Sequence, residues 1–374
     1  MKPIRESHPG PWLRAMTARV GATVMLWGAG LSAALPLAGQ AAEQPPDTPV
    51  AVAPSLQLLA QPMAGDQATW QLPAEYSSSI GPVSVLQVRP DIYMLTVAGV
   101  NVAVETGWQA TVVIGTAPAE TCDALIAAVK TIAQAPIRYV VDTNVRADRI
   151  GCNASLAQAG HGFVRTPLGF AAPVIAQQNA LMELIRSGPQ SYAAAAIPSE
   201  VFTLPVRNMY LNDQAIQIFW MPAAQTDGDS MTMFRRSDVV VAGDIMDELG
   251  FPVIDLAHGG SIQGELAALN RLLDEFAVSV SPKWQGAGGT LIIPGRGQLC
   301  TQTDVLNYRD MVTVIRDRVA DLVAHGASLD QVQKSEPARG YDVRYGANSG
   351  KWTTSDFVAA IYQSLMAEKR GVKK

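Results

Sequence analysis

The chain has 374 residues, 48% of them hydrophobic and 16% charged, a balance that suits one large globular domain or two small ones and excludes a disordered chain. Its formal net charge of −5 offers no broad cationic surface to a phosphate backbone or an anionic bilayer. That argues against nucleic acid as a partner and against attachment to acidic lipid.

The N-terminus carries Lys2, Arg5, Arg14 and Arg19, then an apolar stretch from Val20 to Leu37, then Ala38, Gly39, Ala41 and Ala42. This order reads as a secretory signal peptide over residues 1–42, cleaved after Ala41 or Ala42. Glycines and Pro36 interrupt the apolar run, so no stable membrane anchor is expected after cleavage. The expected destination is the periplasm or the cell exterior, where thiols oxidise. Residues 43–79, rich in Pro, Ala and Gln with little periodicity, read as a poorly ordered leader. The main domain is expected over 80–374.

From Val83 to Ile114 the bursts VSVLQV, IYMLTV, VNVAVE and ATVVIG, separated by turn-prone residues, predict a β-meander. A helix is predicted from Pro118 to Ala133, a strand over Ile137–Val141, and a second helix from Gly151 to Ala159. Another helix is predicted over Ala172–Arg186, and two strands flank Leu211-Asn212-Asp213 between Val201 and Trp220. Beyond these come a strand Val239–Val241, a helix Ile262–Phe276, a strand Thr290–Ile293 and a long helix Thr303–Val323. A last helix, Thr354–Ala367, opens with the capping residues Thr353 to Asp356. Two β-rich halves that alternate strands with helices imply an α/β protein with helices outside paired sheets.

Four segments carry a resemblance: YVVDTNVRADRIGCN (139–153), PAAQTDGDS (222–230), VVVAGD (239–244) and LIIPGRG (291–297). Their order and spacing resemble the metallo-β-lactamase superfamily, whose corresponding segments read T-H-x-H-x-D-H-x-G-G-N, H-T-x-G-x-S, G-D and P-G-H-G. The resemblance implies a four-layered αββα sandwich. It also implies one or two zinc ions and a metal-bound hydroxide that attacks an ester, lactam, thioester or phosphoryl centre. At the ligand positions, however, this chain has Asn144, Arg146, Asp148, Arg149, Gln225, Asp244 and Arg296. Every expected histidine is replaced; only the two aspartates remain.

Guanidinium groups stay protonated and have no lone pair to donate, and a carboxamide oxygen is a weak ligand for zinc. The expectation is therefore a degenerate site without a metal cofactor and with no zinc-dependent hydrolysis. Three arginines against two aspartates leave one net positive charge. That equals the charge of the family's site with two Zn²⁺, two aspartates and a hydroxide. Guanidiniums paired with the orphaned aspartates would satisfy that charge, and replacing Arg146 is then expected to destabilise the chain.

Outside the motif, His258, in IDLAHGGS (254–261), and Asp148 are the candidates for catalysis without zinc. His258 has the ordinary pKa of a general base, but the favoured reading is a loop histidine bonded to backbone. A weak site for a harder cation using Asp148, Asp244 and either His258 or Asp227 is the competing reading. Cys122 and Cys152 each begin a helix at the same sheet edge, where a disulfide would fit an oxidising compartment. Cys152 as a free nucleophile is the alternative, and Cys300 reads as a buried small apolar residue. The functional expectation is an exported pseudoenzyme or binder of a small anion, with a protein partner or a second copy of the chain as a further partner. The alternative is an ester, lactam or thioester hydrolase acting without zinc or with an atypical metal.

Overall fold

The computed structural model describes residues 77–165, 169–186, 196–281, 284 and 288–372. The predicted signal peptide and nearly all of the predicted leader lie outside them. Strand β1 begins at Ser77, so the sheet takes in the last residues of the stretch read as leader. Among the described residues, no helix is long and apolar enough to cross a membrane.

The first sheet has eight strands in sequence order: β1 (Ser77–Ile80), β2 (Val83–Arg89), β3 (Ile92–Val97), β4 (Val100–Thr106), β5 (Thr111–Ile114), β6 (Ile137–Val141), β7 (Val174–Gln177) and β8 (Glu200–Phe202). β1 to β5 pair antiparallel, with β2 to β5 the predicted meander and β1 an addition to it, and β5 to β8 pair parallel. Parallel pairing needs crossovers, supplied by α1 (Cys122–Ile132), by α2 (Ala147–Ile150) with α3 (Asn153–Ala159), and by α4 (Gln178–Arg186).

The second sheet has five strands in the order β13-β12-β11-β10-β9: β9 (Val206–Leu211), β10 (Gln214–Trp220), β11 (Ser230–Phe234), β12 (Val239–Asp247) and β13 (Leu291–Arg296). Only β12 and β13 run parallel, joined through α5 (Ile262–Arg271) and a π-helical turn, Leu272–Phe276. The C-terminal helices are α6 (Gln302–Ala324), α7 (Leu329–Lys334), α8 (Asp342–Tyr345) and α9 (Thr354–Val372). At the start of α9, Thr353 Oγ1 accepts from the Asp356 N–H at 3.2 Å while Asp356 Oδ2 accepts from the Thr353 N–H at 2.9 Å, the reciprocal cap expected from the sequence.

The period-2 alternation of the strands builds three apolar layers. Ile92, Met94, Ala103, Val112 and Ile114 of the first sheet meet Ile216, Ile218, Val239, Val241 and Ile293 of the second. The opposite faces of β3 to β5 pack on Leu125, Val129 and Leu156 of the helices. Val240, Ala242 and Ile292 turn the other way onto Leu266, Val312 and Phe357. Helix, sheet, sheet, helix is the four-layered αββα sandwich, as expected.

One predicted element needs correction. Ala172–Arg186 is not a single helix: Val174–Gln177 is a buried parallel strand and the helix starts at Gln178. Pro173 keeps the preceding residue out of the helical region, and backbone bonds such as Val140 N–H to Pro173 O at 3.0 Å draw the segment into the sheet.

Candidate functional site

The four motif segments converge on one edge of the sandwich. Residues 142–149 leave the end of β6, 222–229 join β10 to β11, Asp244 lies in β12, and Arg296 ends β13. Two bonds tie the first two segments: the Ser230 N–H donates to Thr143 O at 2.8 Å and Ser230 Oγ to Asp142 O at 3.1 Å. All seven residues singled out in these segments, Asn144, Arg146, Asp148, Arg149, Gln225, Asp244 and Arg296, come together.

The inner half of this cluster is centred on Asp244. The Arg149 guanidinium, 2% exposed, donates through Nη2 to Asp244 Oδ1. Asn144 Nδ2 donates to Asp244 Oδ2 at 2.9 Å, and Gln225 Nε2 donates to the Asp244 backbone carbonyl. Burial pushes the Asp244 carboxyl up, but Arg149, Arg146 and the Asn144 bond outweigh it and hold the group below the usual carboxylate range. At Gly295 any Cβ would lie 2.5 Å from Asp244 Oδ1 and 2.7 Å from Arg149 Nη2, so only glycine leaves room for the pair.

The outer half is centred on Asp148, which is 25% exposed. Arg296, 31% exposed, donates through Nη2 to Asp148 Oδ2, and Arg146, 36% exposed, places Nε 3.5 Å from Asp148 Oδ1 and 3.8 Å from Asp244 Oδ2. Arg146 therefore bridges the halves. Asp247, aligned with Arg296 across the β12–β13 pair, has Oδ2 3.7 Å from Arg296 Nε. Its carboxyl is pushed up, chiefly by burial.

Local structure fixes the Arg149 turn. Thr116 donates to the Arg149 carbonyl from its N–H at 2.9 Å and from Oγ1 at 2.7 Å. Gly151 packs so closely that a Cβ would lie 2.6 Å from Ala119 N. Cys152 is disulfide-bonded to Cys122, with Cα atoms 5.2 Å apart. The nucleophilic reading of Cys152 is thereby withdrawn. Cys300 is buried, as expected. Asn153 Nδ2 donates to Asp142 Oδ2 at 3.0 Å and to Ala196 O at 3.1 Å, joining the turn to the sheet.

These residues do not fit zinc. Both oxygens of Asp244 and both of Asp148 accept from arginine or asparagine nitrogens, and the arginines offer no lone pair. Among the described residues, no group of three or more His, Cys, Asp or Glu is arranged to hold a metal ion. The harder-cation alternative meets the same geometry. Asp227 Oδ2 accepts from Asn179 Nδ2 at 2.7 Å and its carbonyl accepts from Trp220 Nε1 at 2.7 Å.

His258 sits on a turn against the Gln225 loop, its carbonyl accepting from the Asp227 N–H at 3.0 Å. Its imidazole faces elsewhere: Nδ1 lies 2.7 Å from Asp255 Oδ2 and 3.7 Å from Glu183 Oε1. The hydrogen bond to Asp255 is the main reason that its pKa is raised. It shares no ion pair with Asp148 or Asp244.

Two buried acids close to Asp244 are not among the candidate site residues read from the sequence. Asp229 accepts from the N–H and, at 3.2 Å, from Oγ1 of Thr226, and burial pushes its carboxyl up to about 7. Its place between Thr226 and Ser230 was the available signal. Glu265, in the first turn of α5, is fully buried with no hydrogen bond to either carboxyl oxygen, and burial followed by the charges of Asp229 and Asp244 pushes it well above the usual range. On a helix whose other inward residues are apolar, nothing in the sequence marks it.

No family model and no curated protein matches the sequence. Solved structures do. A stereoselective inverting sec-alkylsulfatase from Pseudomonas sp. aligns with a TM-score of 0.55 and 17% identity over 75% of this chain and 49% of that chain. A double mutant of that sulfatase aligns with the same values. A metallo-beta-lactamase from Pontibacter korlensis aligns with a TM-score of 0.48 and 14% identity over 62% of this chain and 99% of that one. The chain thus spans about half the length of the sulfatase chains it matches.

Proposed function

The chain has the metallo-β-lactamase fold, an architecture shared with hydrolases, and from that premise we propose that it is an exported, non-catalytic protein in which an arginine–carboxylate network stands where zinc hydrolases carry their metal. The observation that carries this reading is the buried Arg149 guanidinium on Asp244, flanked by Asn144 and Gln225. A cation that brings its own donors neutralises the retained aspartate without a transition metal. The net charge of the motif positions then matches that of a metal-loaded site.

The Cys122–Cys152 disulfide supports export, since such bonds persist in oxidising compartments. Intact mass of the mature protein recovered from the periplasm or medium should correspond to a chain starting at Ala42 or Glu43. A retained Met1 in that fraction would count against the signal peptide.

The functional test is metal content together with turnover. Purified protein equilibrated with Zn²⁺ and then dialysed should retain far less than one zinc per chain. Lactam, lactone, thioester, phosphodiester and sulfate-ester probes should remain intact with or without chelator. Near-stoichiometric zinc overturns the proposal. Chelator-insensitive turnover abolished by Asp148→Asn or His258→Gln would establish the alternative, a hydrolase acting without zinc.

A further inference from the structure

The two halves of the arginine network differ in one respect that bears on ligands. Arg149 and Asp244 are sealed, at 2% and 8% exposure, whereas Arg146, Asp148 and Arg296 are all between a quarter and two-fifths exposed. The outer half is thus a pair of guanidiniums from two separate elements, the loop after β6 and the end of β13, closed on one carboxylate at the surface. That is the geometry with which proteins bind small oxyanions. Here the anion is the chain's own side chain.

The geometry points to a binding site for a small dianionic oxyanion between Arg146 and Arg296, with Asp148 as its built-in competitor. This rests on the reading of the site as metal-free and names its ligand class. Asp148 lies in the first turn of the four-residue α2, and its exposure lets the carboxylate turn out to water without disturbing the Arg149–Asp244 pair. A single carboxylate satisfies each guanidinium through one oxygen. A tetrahedral dianion such as sulfate presents four oxygens and twice the charge, so it can replace both contacts at once. Asp247, 3.7 Å from Arg296, and Asp244, 3.8 Å from Arg146, are the opposing charges that stay beside the clamp when Asp148 turns away, and they limit how tightly a dianion is held.

The competitor role fixes the sign of a mutation that would otherwise be read as damage. Asp148→Asn removes the internal anion and should tighten sulfate binding by at least about tenfold. Arg296→Gln and Arg146→Gln each remove half of the clamp and should weaken it by a similar factor. In Asp148→Asn combined with Arg296→Gln, the gain should vanish. The measurement is calorimetric titration of the full chain with sodium sulfate against sodium chloride at matched ionic strength, since screening alone also moves exposed ion pairs. Thermal melts confirm that each variant folds, and the two arginine variants test the clamp from opposite sides should one of them fail to fold. The proposal is overturned if Asp148→Asn binds sulfate no tighter than the parent chain, or if both arginine variants bind it as well as the parent does. Zinc content measured on the same samples keeps this outcome separate from the failure of the metal-free reading, which only bound zinc would produce.

Discussion

At the residue scale, the network assigns unequal weights to three arginines that look alike in the sequence. Arg149→Met leaves Asp244 ionised, buried and short of its main partner, which should cost on the order of 3–5 kcal/mol. Arg146→Ala removes a part-exposed guanidinium at 3.5 and 3.8 Å from its two carboxylates, worth at most about 1 kcal/mol. Urea unfolding midpoints separate the two, and equal losses would show that burial does not rank them. From the sequence, the register of the four segments was enough to bring seven residues to one place. It singled out Arg146 for stability, however, because nothing in a string of residues tells which face of the 146–149 turn is pressed against the sheet. That is set by Thr116 on the Arg149 carbonyl, Ala119 against Gly151 and Cys122 bonded to Cys152, partners from a segment the motif does not include. Gly295 belongs with them. Its replacement by Ala should destabilise the fold as much as loss of Arg149, because the added methyl must displace that pair.

At the scale of elements, the disulfide joins the start of α1 to the turn between α2 and α3 and closes a loop with a sequence separation of 30. Such a cross-link restricts the unfolded chain, and Cys122→Ser combined with Cys152→Ser should lower stability by about 2–4 kcal/mol. Denaturant titration of parent and variant under non-reducing conditions measures this; a loss appearing equally in the reduced parent protein would confirm the bond as its source. The two cysteine-bearing helix starts could be placed at one edge from the sequence, because strand–helix alternation fixes which ends of parallel strands lie together. What the sequence hid was short and buried. The four residues of β7 are all buried, so they lack the alternation that marks a half-exposed strand and merge into the periodicity of α4. β11 follows a loop chosen for its resemblance, and in its SMTMF the alternating Ser and Thr are buried with the rest, so a run of only five residues was passed over.

At the scale of the whole molecule, the fold keeps several acids out of water, and their summed titration sets how stability depends on pH. Burial pushes Glu105 up to about 7, with two bonds from Asn212 Nδ2 at 2.8 and 2.9 Å working against the rise, and Asp229 is likewise pushed up to about 7. Asp142 and Glu265 are raised well above the usual carboxylate range, again by burial first. Each of these groups has a folded value above its unfolded one, so its favourable contribution is complete below the unfolded value and is lost as pH rises through the folded value. Asp244 works in the opposite direction: its depressed value stabilises the fold above the unfolded pKa, and that contribution is lost in acid. The raised group outnumbers the depressed one, so the melting temperature should be highest on the mildly acidic side and fall from about pH 4.5 to about pH 7. Glu105→Gln keeps an acceptor for Asn212 but cannot ionise, so it should flatten part of that fall without moving the acid limb. Glu105 lies among the β4–β5 and β9–β10 turns, away from the arginine network, so the effect should appear with sulfate binding unchanged. A melting temperature that climbs steadily from pH 4.5 to 7 in the parent chain would mean that these acids ionise inside the fold, and that the polar atoms around them hold charge as well as water does.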